Sequence, residues 1–110
     1  MATLAQKRYW DRLVRRGCIV CGGPAEIAHA HGSTIVERMQ EPKAKGRKLS
    51  RYDWLVLPLC PTHHRGSSGL DADVRLWEEF YGTQAHHIDA LAEEFKLPLW
   101  TLAQSTRRQS

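Results

Sequence analysis

The chain has 110 residues, with sixteen Lys and Arg against twelve Asp and Glu, six His, three Cys and a formal charge of +4. That length fits one compact domain with a small core, for which a metal or another cross-link is a natural support. The modest basic excess favours polyanionic partners. Residues 1–10 lack the apolar run of a secretory signal and no later stretch approaches a membrane span, so the chain reads as cytoplasmic, without a membrane partner.

In chain order, Thr3 can cap a first helix in which Leu4, Trp10, Leu13 and Val14 share a face, ended by Gly17. Cys18 to Gly23 reads as a tight turn, followed by a strand-like run through Ile27 and Ala28 that reaches His29, Ala30 and His31 before Gly32. Residues 33–50, with Pro42 and Gly46, have the composition of a long exposed loop. Tyr52 to Leu59 resembles a buried second strand that delivers Cys60 into a second turn, with His63 and His64 directly behind it. Gly66 to Gly69 is expected to be a flexible joint. Asp71 or Asp73 then caps a helix through Leu76, Trp77 and Phe80, ended by Gly82. Thr83 caps another, with Ile88, Leu91, Ala92 and Phe95 on its apolar face, which stops near Leu97 because Pro98 follows. The plan is helix, knuckle, hairpin, knuckle, then helices: one α+β domain over residues 1–100, a metal core over about 18–71, and a polar tail over 101–110. The four tryptophans read as core or partly buried packing, and His86 and His87 as surface residues.

The cysteines are read by their spacing, since three cannot pair completely as disulfides. Cys18 and Cys21 form a Cys-x-x-Cys pair, and Cys60 and His63 a Cys-x-x-His pair, four ligands that suit a tetrahedral zinc ion. A redox Cys-x-x-Cys pair would explain neither Cys60 nor His63. A closed four-ligand site is structural, so any catalysis lies elsewhere.

The order Cys18-x-x-Cys21, His29-x-His31-Gly32, Asp53, Leu59-Cys60-x-x-His63-His64 resembles the HNH, or ββα-metal, endonuclease pattern. More narrowly, "AEIAHAHG", a Lys-rich loop, "LPLCPTHHRG" and "WEEFYG" resemble phage and prophage nucleases of the recombination-enhancement (Ref) family. The resemblance implies a small zinc-stapled ββα-metal domain with flanking helices that hydrolyses DNA. It implies His29 as general base, Asp53 where family members carry an orienting Asn, and His64 as ligand of a catalytic divalent cation, magnesium or manganese, with Asp71 a further ligand. Ala28 and Ala30 flank His29, so the family's adjacent Asp-His or His-His pair is absent and the base is either histidine; the assignment adopted is His29 as base with His31 as ligand. A recombinase filament is a further implied partner.

Phosphodiester hydrolysis needs a base for the attacking water and a cation for the phosphate and leaving oxygen. An imidazole, ordinarily titrating at about 6.5, suits the first role. Lys43, Lys45, Arg47 and Lys48, with Arg12, Arg15 and Arg16 of the first helix, are the expected DNA contacts, weakly specific because they meet phosphates. The rival reading is a noncatalytic zinc-binding module for nucleic acid or protein, in which His29, His31 and His64 are incidental and Asp71 is only a helix cap.

Overall fold

The computed structural model describes residues 2–40 and 52–108. Helix α1 (Leu4–Arg16) begins with a capping box: the Thr3 hydroxyl accepts from Gln6 N at 3.1 Å, and the Gln6 side chain accepts from Thr3 N at 2.6 Å. It ends where Gly17 takes φ 94°. Its inner face is Gln6, Tyr9 and Leu13, with Trp10 half-buried, whereas Leu4 and Val14 are exposed. The expected face is corrected for a geometric reason. At ~100° per residue, Leu4 lies about half a turn round the helix from Leu13.

Strand β1 (Glu26–His29) pairs antiparallel with β2 (Val56–Leu59), in the register Glu26 to Leu59 and His29 to Val56. All four residues of β2 are buried. Pro58 lies opposite Ile27, and its carbonyl accepts from Ile19 N at 3.0 Å. A strand residue's N and O point the same way, so the missing N–H of Pro58 faces away from β1 and no ladder bond is lost. The second strand is shorter than expected, because Leu55 N donates to Tyr52 O at 3.0 Å and closes a turn over those residues. Asp53 is therefore presented from a turn and not from a strand.

Part of the expected loop is helical: α2 (Ser33–Met39) buries Ile35 and Met39, an apolar pair at i and i+4 within the Gly- and Pro-bearing stretch. Lys43, Lys45, Arg47 and Lys48 lie outside the described residues. Helix α3 (Pro61–Arg65) starts directly after β2, with Cys60 at its N-cap and Pro61 in its first turn. Helix α4 (Val74–Tyr81) is capped by Asp73, whose Oδ1 accepts from Leu76 N at 3.0 Å, so Asp71 is free of that duty. Helix α5 (Gln84–Phe95) is capped by Thr83 and buries Gln84, Ile88 and Leu91. Helix α6 (Leu99–Arg108) occupies most of the expected polar tail and buries Leu99 and Ala103 against the core. His87 is likewise half-buried, its ring 5.6 Å from that of Trp77, because one turn of α5 carries it over α4.

Helices α1, α3 and α5 pack on the hairpin, and α2 and α6 pack on α5. Leu13, Leu57, Leu59, Trp77 and Ile88 fill the space between them. Among the described residues no helix is long and apolar enough to cross a membrane. The corrected α1 face makes a paired prediction for thermal unfolding. Leu13→Ala should cost about 2–5 kcal/mol as a core truncation. Leu4→Ala should stay within about 0.5 kcal/mol. The reverse ranking would contradict this packing.

Candidate functional site

Two knuckles converge on one end of the hairpin. Gly17 enters the first, where a side chain would meet the Gly22 carbonyl oxygen at 3.1 Å. Cys18 N donates to Gly23 O at 2.9 Å and Gly22 N to Cys18 O at 2.8 Å, curling the chain so that Cys18 and Cys21 face inward. Val20 N approaches Cys18 Sγ at 3.4 Å. The second knuckle is the start of α3, in which His64 N donates to Cys60 O at 2.9 Å. One turn of that helix carries His63 Nδ1 to 3.0 Å from Cys60 Sγ and 3.7 Å from Cys18 Sγ. Cys21 Sγ lies 3.7 Å from Cys60 Sγ, and all four donor atoms are within 4.8 Å of one another. Metal–sulfur bonds of about 2.3 Å around a tetrahedral ion put two sulfurs about 3.8 Å apart, so these side chains fit a metal ion such as zinc. The Tyr81 ring covers His63 edge-on at 5.6 Å.

A second group of titratable side chains lies beside the first. His29, at the end of β1, places Nε2 2.9 Å from Asp53 Oδ1. Trp10 fixes both members of this pair: its Nε1 donates to the Asp53 carbonyl at 2.8 Å, and its ring meets the His29 ring edge-on at 5.8 Å. Asp71 joins two further histidines, with Oδ1 3.0 Å from His31 Nε2 and Oδ2 3.0 Å from His64 Nε2. His64 Nδ1 in turn lies 2.6 Å from Glu26 Oε2, and Arg65 grips the same carboxylate at 2.7 and 3.0 Å. The neighbours His63 and His64 thus serve different clusters, as adjacent residues on a helix, about 100° apart, must.

The segment between Arg65 and Asp71, expected as a flexible joint, is instead a tight return. Leu70 N donates to His63 O at 2.8 Å and Asp71 N to His64 O at 3.0 Å, while Gly66 N satisfies the carbonyls of Pro61 and Thr62. These bonds close the C-terminal end of α3 and bring the Asp71 side chain back over His64. Gly69 is needed there, since a Cβ would lie 2.7 Å from the carbonyl carbon of His64. The backbone of His31 is held by the buried Gln84 side chain, whose Oε1 accepts from His31 N at 3.0 Å and whose Nε2 donates to His31 O at 2.6 Å. Glu78 Oε2 steadies Gln84 by accepting from its backbone N at 2.8 Å.

All of His29, His31, Asp53, His64 and Asp71 therefore enter carboxylate–imidazole contacts on one region of the hairpin. His31, Asp71 and His64 supply two nitrogens and a carboxylate, a donor set that suits a divalent cation. In the structure these donors face one another, and among the described residues only the Cys18–Cys21–Cys60–His63 group has donors that all lie within metal-ligand range of one another. A cation at the second group has to replace the His–Asp71 hydrogen bonds.

The sequence reading missed Glu26, Arg65, Gln84 and the role of Trp10. Gln84 carried a signal, being polar at helical spacing from Ile88 and Leu91 on an apolar face. Of the expected DNA-contacting arginines of α1, Arg16 is paired with Glu94 at 2.9 Å and Arg12 sits over the Phe95 ring at 4.7 Å.

A family model described as "Protein of unknown function (DUF968)" matches residues 1–96. Neither the curated proteins nor the solved structures contain a match to the chain.

Burial pushes the Cys18 thiol up, but hydrogen bonds with the backbones of Cys60, Cys21 and Val20 outweigh it and bring the thiol from 9.0 down to about 6. A value below the ordinary one means that ionised Cys18 stabilises the fold fully above pH 9.0, and that this contribution is gone below about 6. Protons compete with the metal for the thiolates and the imidazole, so zinc content after dialysis across a pH series should fall at acid pH, at a lower pH than the one at which the metal-free Cys18 thiol takes up its proton. Zinc lost already at neutral pH would be incompatible with four donors closing on one ion.

Proposed function

The chain belongs to the DUF968 family, and we propose that it is a metal-dependent endonuclease of the HNH type, hydrolysing DNA phosphodiester bonds in a recombination-associated role. The observation that carries the reading is the hairpin β1–β2 followed at once by α3, with the His29–Asp53 pair at the strand end and His64 on the helix, joined to His31 through Asp71. In this reading the two strands and α3 make a ββα unit in which an imidazole base adjoins a mixed nitrogen–oxygen cation site. The Cys18, Cys21, Cys60 and His63 cluster is, in this reading, a structural zinc site that holds the ends of the unit together.

Asp53 accepts a hydrogen bond from His29 Nε2, which keeps that nitrogen protonated and leaves the lone pair on Nδ1. Nδ1 is then the atom that takes the proton from the attacking water, and Asp53 stabilises the imidazolium that results. Trp10 restrains both partners, so the ring does not have to be ordered during the reaction. When a divalent cation is bound by His31, Asp71 and His64, it supplies Lewis-acid stabilisation of charge on the phosphate and leaving oxygen. Magnesium and manganese are the expected cations; the two imidazole ligands favour manganese. DNA is the proposed substrate, and a recombinase filament the proposed partner.

Purified protein should cut labelled single-stranded or duplex DNA when magnesium or manganese is added, with a recombinase filament present where needed. His29→Ala should lose at least about 100-fold in rate, the usual worth of a positioned general base, while its zinc content and circular dichroism stay unchanged. Absence of metal-dependent cutting on every DNA form would favour a noncatalytic zinc-binding module instead.

A further inference from the structure

Glu26 has no part in the mechanism above, yet it is the most heavily engaged carboxylate in this region. It is the first residue of β1, opposite Leu59, and so stands beside the start of α3. Its Oε2 accepts from His64 Nδ1 at 2.6 Å and from Arg65 Nε at 2.7 Å, and its Oε1 accepts from Arg65 Nη2 at 3.0 Å. An exposed Glu–Arg pair by itself contributes little to stability. The third contact is different in kind, because it reaches a half-buried ring that faces Asp71 through its other nitrogen.

We infer that Glu26 is a positioning residue for cation binding, acting through His64. This rests on the reading of His31, Asp71 and His64 as a cation site. Both ring nitrogens face carboxylates, Nδ1 that of Glu26 and Nε2 that of Asp71; when a cation takes the place of the hydrogen on Nε2, the hydrogen that Glu26 holds on Nδ1 leaves the ring's lone pair on Nε2 for the ion. Glu26 therefore selects the tautomer that can ligate, fixes the plane of the ring and makes its nitrogen a stronger donor. Arg65 completes the device: its planar guanidinium takes Glu26 in a two-point grip and holds the carboxylate against the ring. Successive residues of α3 thus divide the work, His64 as ligand and Arg65 as the anchor of its support. His31 is steadied differently, through its backbone by Gln84.

The test is manganese binding to zinc-loaded protein, read from the electron paramagnetic resonance of the free ion, which needs no catalysis. Glu26→Ala should weaken binding about 10–100-fold, the usual effect of removing a carboxylate behind a ligating histidine. Glu26→Gln keeps an acceptor for Nδ1–H and should lose less; Arg65→Met should fall between Glu26→Ala and the parent protein. Cleavage at saturating manganese should return toward the parent rate in each variant, because Glu26 touches no reacting atom. Circular dichroism and zinc content report on the fold, and Glu26→Gln serves where Glu26→Ala fails to fold. Parent-like manganese affinity in a folded Glu26 variant would overturn this inference alone. A parent protein that binds no manganese beyond its zinc would overturn the nuclease reading along with it.

Discussion

Cys18, Cys21, Cys60 and His63 meet at one point, and the segments around them are ordered by that meeting. It ties the end of α1 to the start of α3 across forty-odd residues of chain, and nearly every side chain of interest lies inside or just beyond that closed segment. A chain of this size has too little core to order such a segment by apolar burial alone. A metal ion held by these four donors would turn binding free energy into folding free energy, and closing the loop would remove disorder from the unfolded chain. The short β1–β2 pair, marginal by itself, is then held by the knuckles and by the packing of α1, α3 and α5 on its strands.

From that anchor the second cluster follows by local geometry. Helix α3 has five residues and is pinned at its first turn by Cys60 and His63, so the direction of His64 is set by the turn of the helix. The Gly66–Gly69 return then satisfies the carbonyls of α3 with the amides of Leu70 and Asp71, and the same bonds place Asp71 between His64 and His31. The two groups differ in chemistry in the way the proposed function requires. One is closed and sulfur-rich, suited to a permanent ion. The other has nitrogen and oxygen donors that are partly solvent-accessible and held by hydrogen bonds, suited to an exchangeable one.

The metal-ligand spacing was the most legible part of the sequence, because two-residue knuckles leave little freedom in where their donors point. Helix starts were legible for a similar reason: Thr3, Asp73 and Thr83 each cap where their hydroxyl or carboxylate meets an amide within the next turn. Helices α2 and α6 were not, since Ile35 with Met39 and Leu99 with Ala103 are pairs too sparse to stand out from polar surroundings, and they become helical through burial against α5. In the candidate site, His29 lies against Asp53, and Asp71 lies between His31 and His64. The supporting roles of Glu26 and Trp10 were hidden because each acts across the fold, on a partner 38 or more positions away in sequence.

In the proposed enzyme two metal positions of different character lie side by side, and anomalous diffraction from zinc-loaded crystals soaked in manganese distinguishes them. A zinc peak among Cys18, Cys21, Cys60 and His63 should survive the soak, with a separate manganese peak among His31, Asp71 and His64. A single metal position at the cysteine cluster, with the His31–Asp71–His64 contacts unchanged at saturating manganese, would contradict the two-site reading.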